Sequence, residues 1–215
     1  MGGIRAKWLT AGLLLAASPL HADVKAGVDA WGRGEFARAV GEWRGPAVAG
    51  DADAQFNLGQ AYKLGRGVTA DFAQAEQWFR KAAMQGHRQA EDNLALTLFR
   101  NGKAAEAVPW LEKSVRRGEP RAQFVLGTML FNGDAVPKDW PRAYGLMTQA
   151  SGAGLPQASQ TLAQMDRYIP LQDRQRGLQL ARGTSAPPPP SSTTPAAEPA
   201  VRSAAAATPA PRPLA

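Results

Sequence analysis

Residues 54–86 read AQFNLGQAYKLGRGVTADFAQAEQWFRKAAMQG, and this order of residues comes back 68 positions later. Ala54, Leu58, Gly59, Tyr62, Gly65, Gly67, Val68, Asp71, Ala75, Trp78, Lys81, Ala82, Ala83 and Gly86 mark the first copy. Ala122, Leu126, Gly127, Leu130, Gly133, Val136, Asp139, Ala143, Leu146, Ala150 and Gly154 mark the second. Internal repetition on this scale is the mark of a solenoid, in which each unit buries its apolar face on the next. Such stacks present extended surfaces, so a scaffold is expected here and an enzyme is not.

Fainter units complete the array. Ala54, Ala90, Ala122 and Ala158 are spaced by 36, 32 and 36 positions. Leu58, Leu94, Leu126 and Leu162 keep that register, as do Gly50, Gly86, Gly118 and Gly154. Within a unit, Ala54, Leu58 and Tyr62 lie four apart, a stripe at helical period. Gly59 beside the stripe lets a neighbouring helix come close. Gly65, Arg66 and Gly67 end that helix, glycine suiting the positive φ such a turn needs. Asp71 is placed to cap a second helix, whose apolar face is Ala75, Trp78, Ala82 and Ala83. The unit 87–118 lacks four residues between its helices and turns at Asn101 and Gly102; the opening unit, with Gly32, Arg33 and Gly34 in its turn, is built the same way. Pro120 and Pro156 fall in first turns, where proline is tolerated. Pro46 and Pro109 fall inside second helices and predict a kink or a late helix start at each.

The order A-x3-L-G-x2-Y-x2-G-x-G-V-x2-D-x3-A-x2-W, then K-A-A-x2-G, resembles the Sel-one-like repeat family, relatives of tetratricopeptide repeats. Residues 54–86 match it at every defining position and 122–154 at most, while 87–118 is more similar to a tetratricopeptide repeat. The resemblance covers about 23–170. It implies an all-α fold, a right-handed α-solenoid of stacked antiparallel helix pairs over 23–182, with units at about 24–50, 51–86, 87–118, 119–154 and 155–182. For function it implies adaptor work between proteins, often in bacterial envelopes. In tetratricopeptide-like stacks the first helix of each pair lines the concave face. By that analogy the partner-binding groove consists of Asn57, Gln60 and Lys63, then Gln89, Asn93, Leu96 and Arg100, then Arg121, Phe124, Thr128 and Phe131. Asparagines there suit a peptide backbone, Lys63 and Arg100 a carboxylate, and Phe124 and Phe131 apolar anchor sites.

The chain opens with Arg5 and Lys7, an apolar run from Trp8 to Ala17, then Ser18, Pro19, Leu20, His21 and Ala22. A basic start, a short apolar middle and a small residue at the cut describe a secretory signal peptide over 1–22, with cleavage expected after Ala22. The run is about half of what a bilayer span needs, and no later segment is long and apolar enough for one. The expected location is periplasmic or secreted. There is no cysteine, which excludes disulfides, thiol nucleophiles and cysteine metal sites. Residues 183–215 are proline, alanine, serine and threonine with little else, and a disordered tail with polyproline character is expected. Some exported members of the resembling family run through such a linker into a peptidoglycan-binding SPOR domain, which 183–215 does not contain. A peptidoglycan-associated structural protein is the alternative reading. A repeat-scaffold hydrolase is a minor one, because the subgroup linked to β-lactam hydrolysis is rich in paired cysteines.

The net charge is +7, but 23–182 holds 21 basic and 17 acidic residues, which leaves +4. This mildly basic surface lacks the aromatic platforms of a nucleic-acid binder, and no nucleic-acid partner is expected. Lys113, Arg116, Arg117 and Arg121 gather around one turn between units, where the helix dipole favours cations. After signal removal His87 is the one histidine, expected at an exposed helix start without the partners of a triad or a zinc site. Glu91 and Asp92 are expected to point different ways around their helix, not to form an acid–base couple. No catalytic residue, cofactor or metal is expected, and other proteins are the expected partners. After Ile169 and Pro170, residues 171–181 read as a closing helix. Leu171, Leu178 and Leu180 are expected to cover the open end of the stack while Gln172, Arg174 and Arg176 face water.

Overall fold

The structure, a computed structural model, describes residues 20–183, and over these residues the chain is ten α-helices with no strand. They are α1 (Leu20–Gly32), α2 (Phe36–Val48), α3 (Ala52–Leu64), α4 (Phe72–Met84), α5 (Arg88–Arg100), α6 (Ala104–Arg116), α7 (Pro120–Asn132), α8 (Trp140–Gly152), α9 (Pro156–Tyr168) and α10 (Leu171–Gly183). The first eight pack as consecutive pairs, and each pair packs on the next. The expected signal segment up to residue 19 and the expected tail from 184 lie outside the described residues. The expected cut after Ala22 falls within the first turn of α1.

Capping sets where the helices begin. Asp51, Asp71 and Asp139 accept hydrogen bonds from the amides of Ala54, of Ala73 and Gln74, and of Arg142, at 2.8–2.9 Å. Each such cap is worth about 1 kcal/mol. The long turns of the two copies close in the same way, with Asp71 N–H donating to Tyr62 O and Asp139 N–H to Leu130 O, both at 3.0 Å. Gly67, at φ +75°, presses its turn onto the preceding pair: a Cβ there would lie 2.4 Å from Phe36 O. Ala135, its counterpart in the second copy, also holds a positive φ of +57°.

Buried alanines bring the helices together. Ala54, Ala61, Ala75, Ala82, Ala90 and Ala95 are all inaccessible, with Leu58, Leu94, Leu98, Leu111 and Leu126 filling the remaining space. Gly59 serves the same end, since a Cβ on it would lie 2.6 Å from the Phe79 ring. The buried side chains form two clusters. One joins Ala39, Val40, Trp43 and Ala47 of α2 to Ala54, Leu58 and Ala61 of α3. The other runs from Ala75 and Phe79 of α4 to Met165 and Ile169. Half-buried Phe56 and Tyr62 of α3 reach into the second cluster, and Trp78 of α4 into the first.

Sequence expectations change at three places. Of the two outcomes expected at Pro46 and Pro109, the late helix start does not occur: α2 and α6 begin ten and five residues before them. Pro46 stands near the end of α2 and Pro109 in the second turn of α6, so each deprives only one carbonyl of its donor. Phe131 is not on the surface. It is 1% exposed, stacked on Trp140 at 6.3 Å between centroids, and its carbonyl accepts from Trp140 Nε1. The leucines of α10 do not cover the end of the stack, for Leu171, Leu178 and Leu180 are 60%, 37% and 50% exposed. The helix meets α8 through Gly177 instead: a Cβ there would lie 2.6 Å from Pro141 O, and one on Gly145 2.8 Å from Gly177 O. This contact turns Asp173, Arg174, Gly177 and Ala181 inward, at spacings of one, three and four residues. Arg174 consequently faces Asp166 at 3.3 Å rather than water.

Candidate functional site

The first helices α3, α5 and α7 share one side of the array. Lys63, in the last turn of α3, donates to Asn93 Oδ1 of α5 at 2.6 Å. Asn93 is itself held by its amide, which donates to Gln89 O at 2.8 Å. The Lys63 ammonium lies 5.9 Å from the centre of the Phe79 ring. Burial, and after it the charge of Arg121 on α7, hold this ammonium below the usual lysine range. α5 and α7 touch directly. A cleft of about 750 Å³, lined by Glu112, Arg116, Arg142 and Leu180 among others, lies between α6 and α8.

The remaining groove candidates divide by environment. Gln89 and Arg121 are exposed, and Asn57, Leu96 and Phe124 half-buried. Leu96 and Phe124 pack one side against the core. Gln60 turns its amide oxygen inward, where no donor meets it. Thr128 spends its hydroxyl on Phe124 O at 2.9 Å. Arg100 does not join Lys63, because its guanidinium lies 3.8 Å over the Phe72 ring at the start of α4. Phe131 is core.

The other polar clusters hold the pairs together. Glu76, with its side chain 7% exposed, accepts from Arg80, Asn101 and Lys103, and Arg80 reaches on to Glu106 at 3.0 Å. Burial alone would raise the pKa of Glu76, but the hydrogen bonds from Lys103, Asn101 and Arg80 outweigh it and hold the carboxyl below its usual range. Glu91 and Asp92 do not diverge. Both meet Arg117, Glu91 also takes Lys113, and Ser114 donates to Asp92 at 2.5 Å. The basic cluster read as a helix-end preference is thus half consumed by partners 22–26 residues away.

Register explains the site of Glu91. Gln55, Glu91 and Gln123 follow the spacing of the repeats, and all three are buried. Gln55 donates to Ala47 O and accepts from Gln85; Gln123 donates to Gln149 Oε1. The middle unit puts a carboxylate where its neighbours put an amide, and carries Lys113 and Arg117 to match. That equivalence was readable from the repeat spacing, although the partners were not. His87 also departs from expectation. Its side chain is 14% exposed, Nδ1 accepts from Ala90 N–H at 3.1 Å, and the ring stacks on Phe56 at 4.6 Å. With Nδ1 an acceptor, Nε2 carries the proton and faces Asp53 Oδ1 at 3.1 Å.

Comparison with known proteins agrees with this architecture. A family model of the Sel1 repeat matches residues 52–87 and 120–155, the spans of α3–α4 and α7–α8. Among curated proteins, the chain is 34% identical over 125 residues to chitin synthase regulatory factor 3 of Schizosaccharomyces pombe, a match spanning 54% of this chain and 13% of that one. It is 28% identical over 126 residues to an uncharacterized protein of Neisseria meningitidis serogroup B, spanning 59% and 27%. The chain thus covers only a small part of the length of either relative. Among solved structures it resembles a Sel1 repeat protein from Oxalobacter formigenes at a TM-score of 0.58 and 22% identity, over 75% of this chain and 69% of that one. It also resembles a protective antigen of uropathogenic Escherichia coli with an SLR fold, at a TM-score of 0.51 and 22% identity, over 77% and 45%. Residues 52–87 and 120–155 are therefore Sel1 repeats, and the helices around them build an α-solenoid of the Sel1 type.

Proposed function

We propose that the chain is an exported, non-enzymatic adaptor that captures a segment of a partner protein on the face shared by α3, α5 and α7. Sel1 repeats typically serve protein–protein interaction, and their scaffold is generally non-catalytic. The observation that carries the reading is the hydrogen bond from Lys63 to Asn93, which joins α3 to α5 across this face, with Gln89 of α5 and Arg121 of α7 exposed on the same helices. Elsewhere the buried charges are matched within the fold, as at Glu76 and Glu91. Export rests on the layout of residues 1–22 and places the adaptor in the bacterial periplasm or outside the cell. No helix among the described residues is long and apolar enough to cross a membrane.

A photo-crosslinking amino acid at Gln89, on the proposed face, tests the reading against the same group at Gln77, exposed on α4. Discrete protein crosslinks from position 89 and none from 77 are expected. Equal labelling from both, or labelling of cell wall instead of protein, would turn the reading towards a peptidoglycan-associated role. The mass of the mature chain tests export: it should begin at Asp23.

A further inference from the structure

We propose that the cleft between α6 and α8 binds a short apolar peptide with both ends free, its ammonium at Glu112 and its carboxylate at Arg116. The site shares no residue with the groove of α3, α5 and α7. Its third wall comes from α10, and the register of the array explains why. The second helices α2, α4, α6 and α8 each carry an inaccessible alanine at their fourth position, Ala39, Ala75, Ala107 and Ala143. At that position α10 carries Arg174, whose charge does not fit a buried alanine slot, so α10 does not join the stack as a second helix. It packs on α8 instead, over Pro141 and Gly145. Their counterparts 68 positions earlier, Ala73 and Gln77 of α4, are exposed. Leu180 and Ala181 are thereby brought to the cleft.

Most polar side chains lining the cleft already have partners. Asp139 accepts from Arg142 N–H at 2.9 Å. Gln123 donates to Gln149 Oε1 at 3.2 Å, and Gln149 donates to Ala181 O at 3.0 Å. Arg142 gives its guanidinium to Glu112 Oε2 at 2.5 Å, joining α8 to α6. Two groups are left over: Glu112 Oε1 and the Arg116 guanidinium have no partner among the described residues. They stand one turn apart on the same face of α6, a spacing that separates Cβ atoms by about 5–6 Å. Around them lie half-buried Val115, Leu146 at 7% exposure and Leu180 at 50%.

An acid and a base one turn apart above an apolar floor suit a zwitterion with an apolar body. A dipeptide spans about 7 Å from end to end, close to the separation of the two groups. Its ammonium donates to Oε1 and its carboxylate accepts from the guanidinium, both charge-assisted bonds of the stronger kind. Its side chains then cover Val115, Leu146 and Leu180. The cleft, at about 750 Å³, also lies within the size range of small-molecule sites, which pair a mainly apolar lining with a few placed polar groups. A monocarboxylate with an apolar tail offers Oε1 no donor and brings a second anion towards it.

Titration of the isotope-labelled full chain with leucyl-leucine, followed by the amide NMR signals of Gly118 and Ala153 in the cleft lining, provides the test. Both signals should move. N-acetyl-leucyl-leucine and leucyl-leucinamide, which each lose one charge, should bind about tenfold more weakly. Arg116→Gln should weaken leucyl-leucine by about tenfold and leave leucyl-leucinamide nearly unchanged. Glu112→Gln should do the same to leucyl-leucine and spare the acetylated form. Arg44→Gln, the same charge change on an exposed part of α2, should alter none of these, and circular dichroism checks that every variant folds. The two blocked dipeptides probe each end without any change to the protein. Unmoved signals at Gly118 and Ala153, or an equal loss of free and amidated dipeptide on Arg116→Gln, would overturn the proposal. Octanoate binding as tightly as leucyl-leucine would reassign the cleft to monocarboxylates and overturn it too.

Discussion

Replacing Glu91 by glutamine gives the middle unit the residue its neighbours carry in the same register, yet it should weaken the array. Glu91 is 2% exposed and accepts from Lys113 and Arg117. A glutamine there is isosteric but presents an N–H₂ that two cations cannot accept from, and it leaves them with less counter-charge. Hydrogen bonds to charged groups are worth about 1.5–3 kcal/mol each. Breaking a buried ion pair from one side costs about 3–5 kcal/mol. Two observations pull the figure to the lower end: Lys113 is 46% exposed and regains water, and Arg117 keeps Asp92. The expected loss is about 3 kcal/mol, or about 6–12 °C in Tm for a chain of this size. Urea titration followed by far-UV circular dichroism measures it, with Trp110 of α6 as a local fluorophore. Glu91→Gln with Arg117→Gln should cost less than the sum of the two single changes, because each removes what the other lacks. A loss below about 1 kcal/mol, or strict additivity, would refute the claim that this cluster joins α5 to α6.

Other outcomes follow from the packing and the charges. Gly177→Ala places a methyl against Pro141 O and Tyr144 and should cost about 1–3 kcal/mol, stripping hydrogen-exchange protection from α10 while α3 to α6 keep theirs. Glu76 has a lower pKa folded than unfolded, so its share of stability is complete above the unfolded carboxylate range near about 4.3 and is lost as pH falls through the lower native value. Glu76→Gln should accordingly flatten the acid limb of a stability-against-pH curve. His87→Ala removes both a cap and a ring stacked on Phe56 and should cost about 1–2 kcal/mol, whereas His87→Asn keeps the cap and should recover part of it in thermal denaturation.

Much of the fold was legible because its determinants are local and periodic. Ala54, Leu58 and Gly59 with their later counterparts set the helices, and Asp71 and Asp139 stand where the second helices are capped. What escaped depends on which face a helix turns to a distant neighbour. Phe131 occupies a register that looked open until the long turn after Gly133 folds Trp140 back onto it. The leucines of α10 look like a core stripe, but one backbone crossing at Gly177 decides the rotation of the whole helix, and a glycine carries no hydrophobic signal. In the groove, Lys63, Asn93, Arg100 and Arg121 were named from register, while the rest position of the Arg100 guanidinium over the Phe72 ring at the start of α4 was not legible. The fate of Glu91 required knowing that residues 22–26 positions away lie across the same pair.

The partition of the buried core between α3 and α4 gives the groove a second consequence. Lys63 stands on the block formed by α1 to α3, whereas Asn93 and Arg121 stand on the block that follows. A partner segment lying along α3 and α5 is therefore a staple across a seam, joining two halves that are otherwise dovetailed through Phe56, Tyr62 and Trp78. Ligand at a hundred times its dissociation constant adds about 2.7 kcal/mol to whatever opening it must reverse. Occupancy would then be felt first as slower opening of the amino-terminal block, α1 and α2 included, although the partner meets that block only on α3.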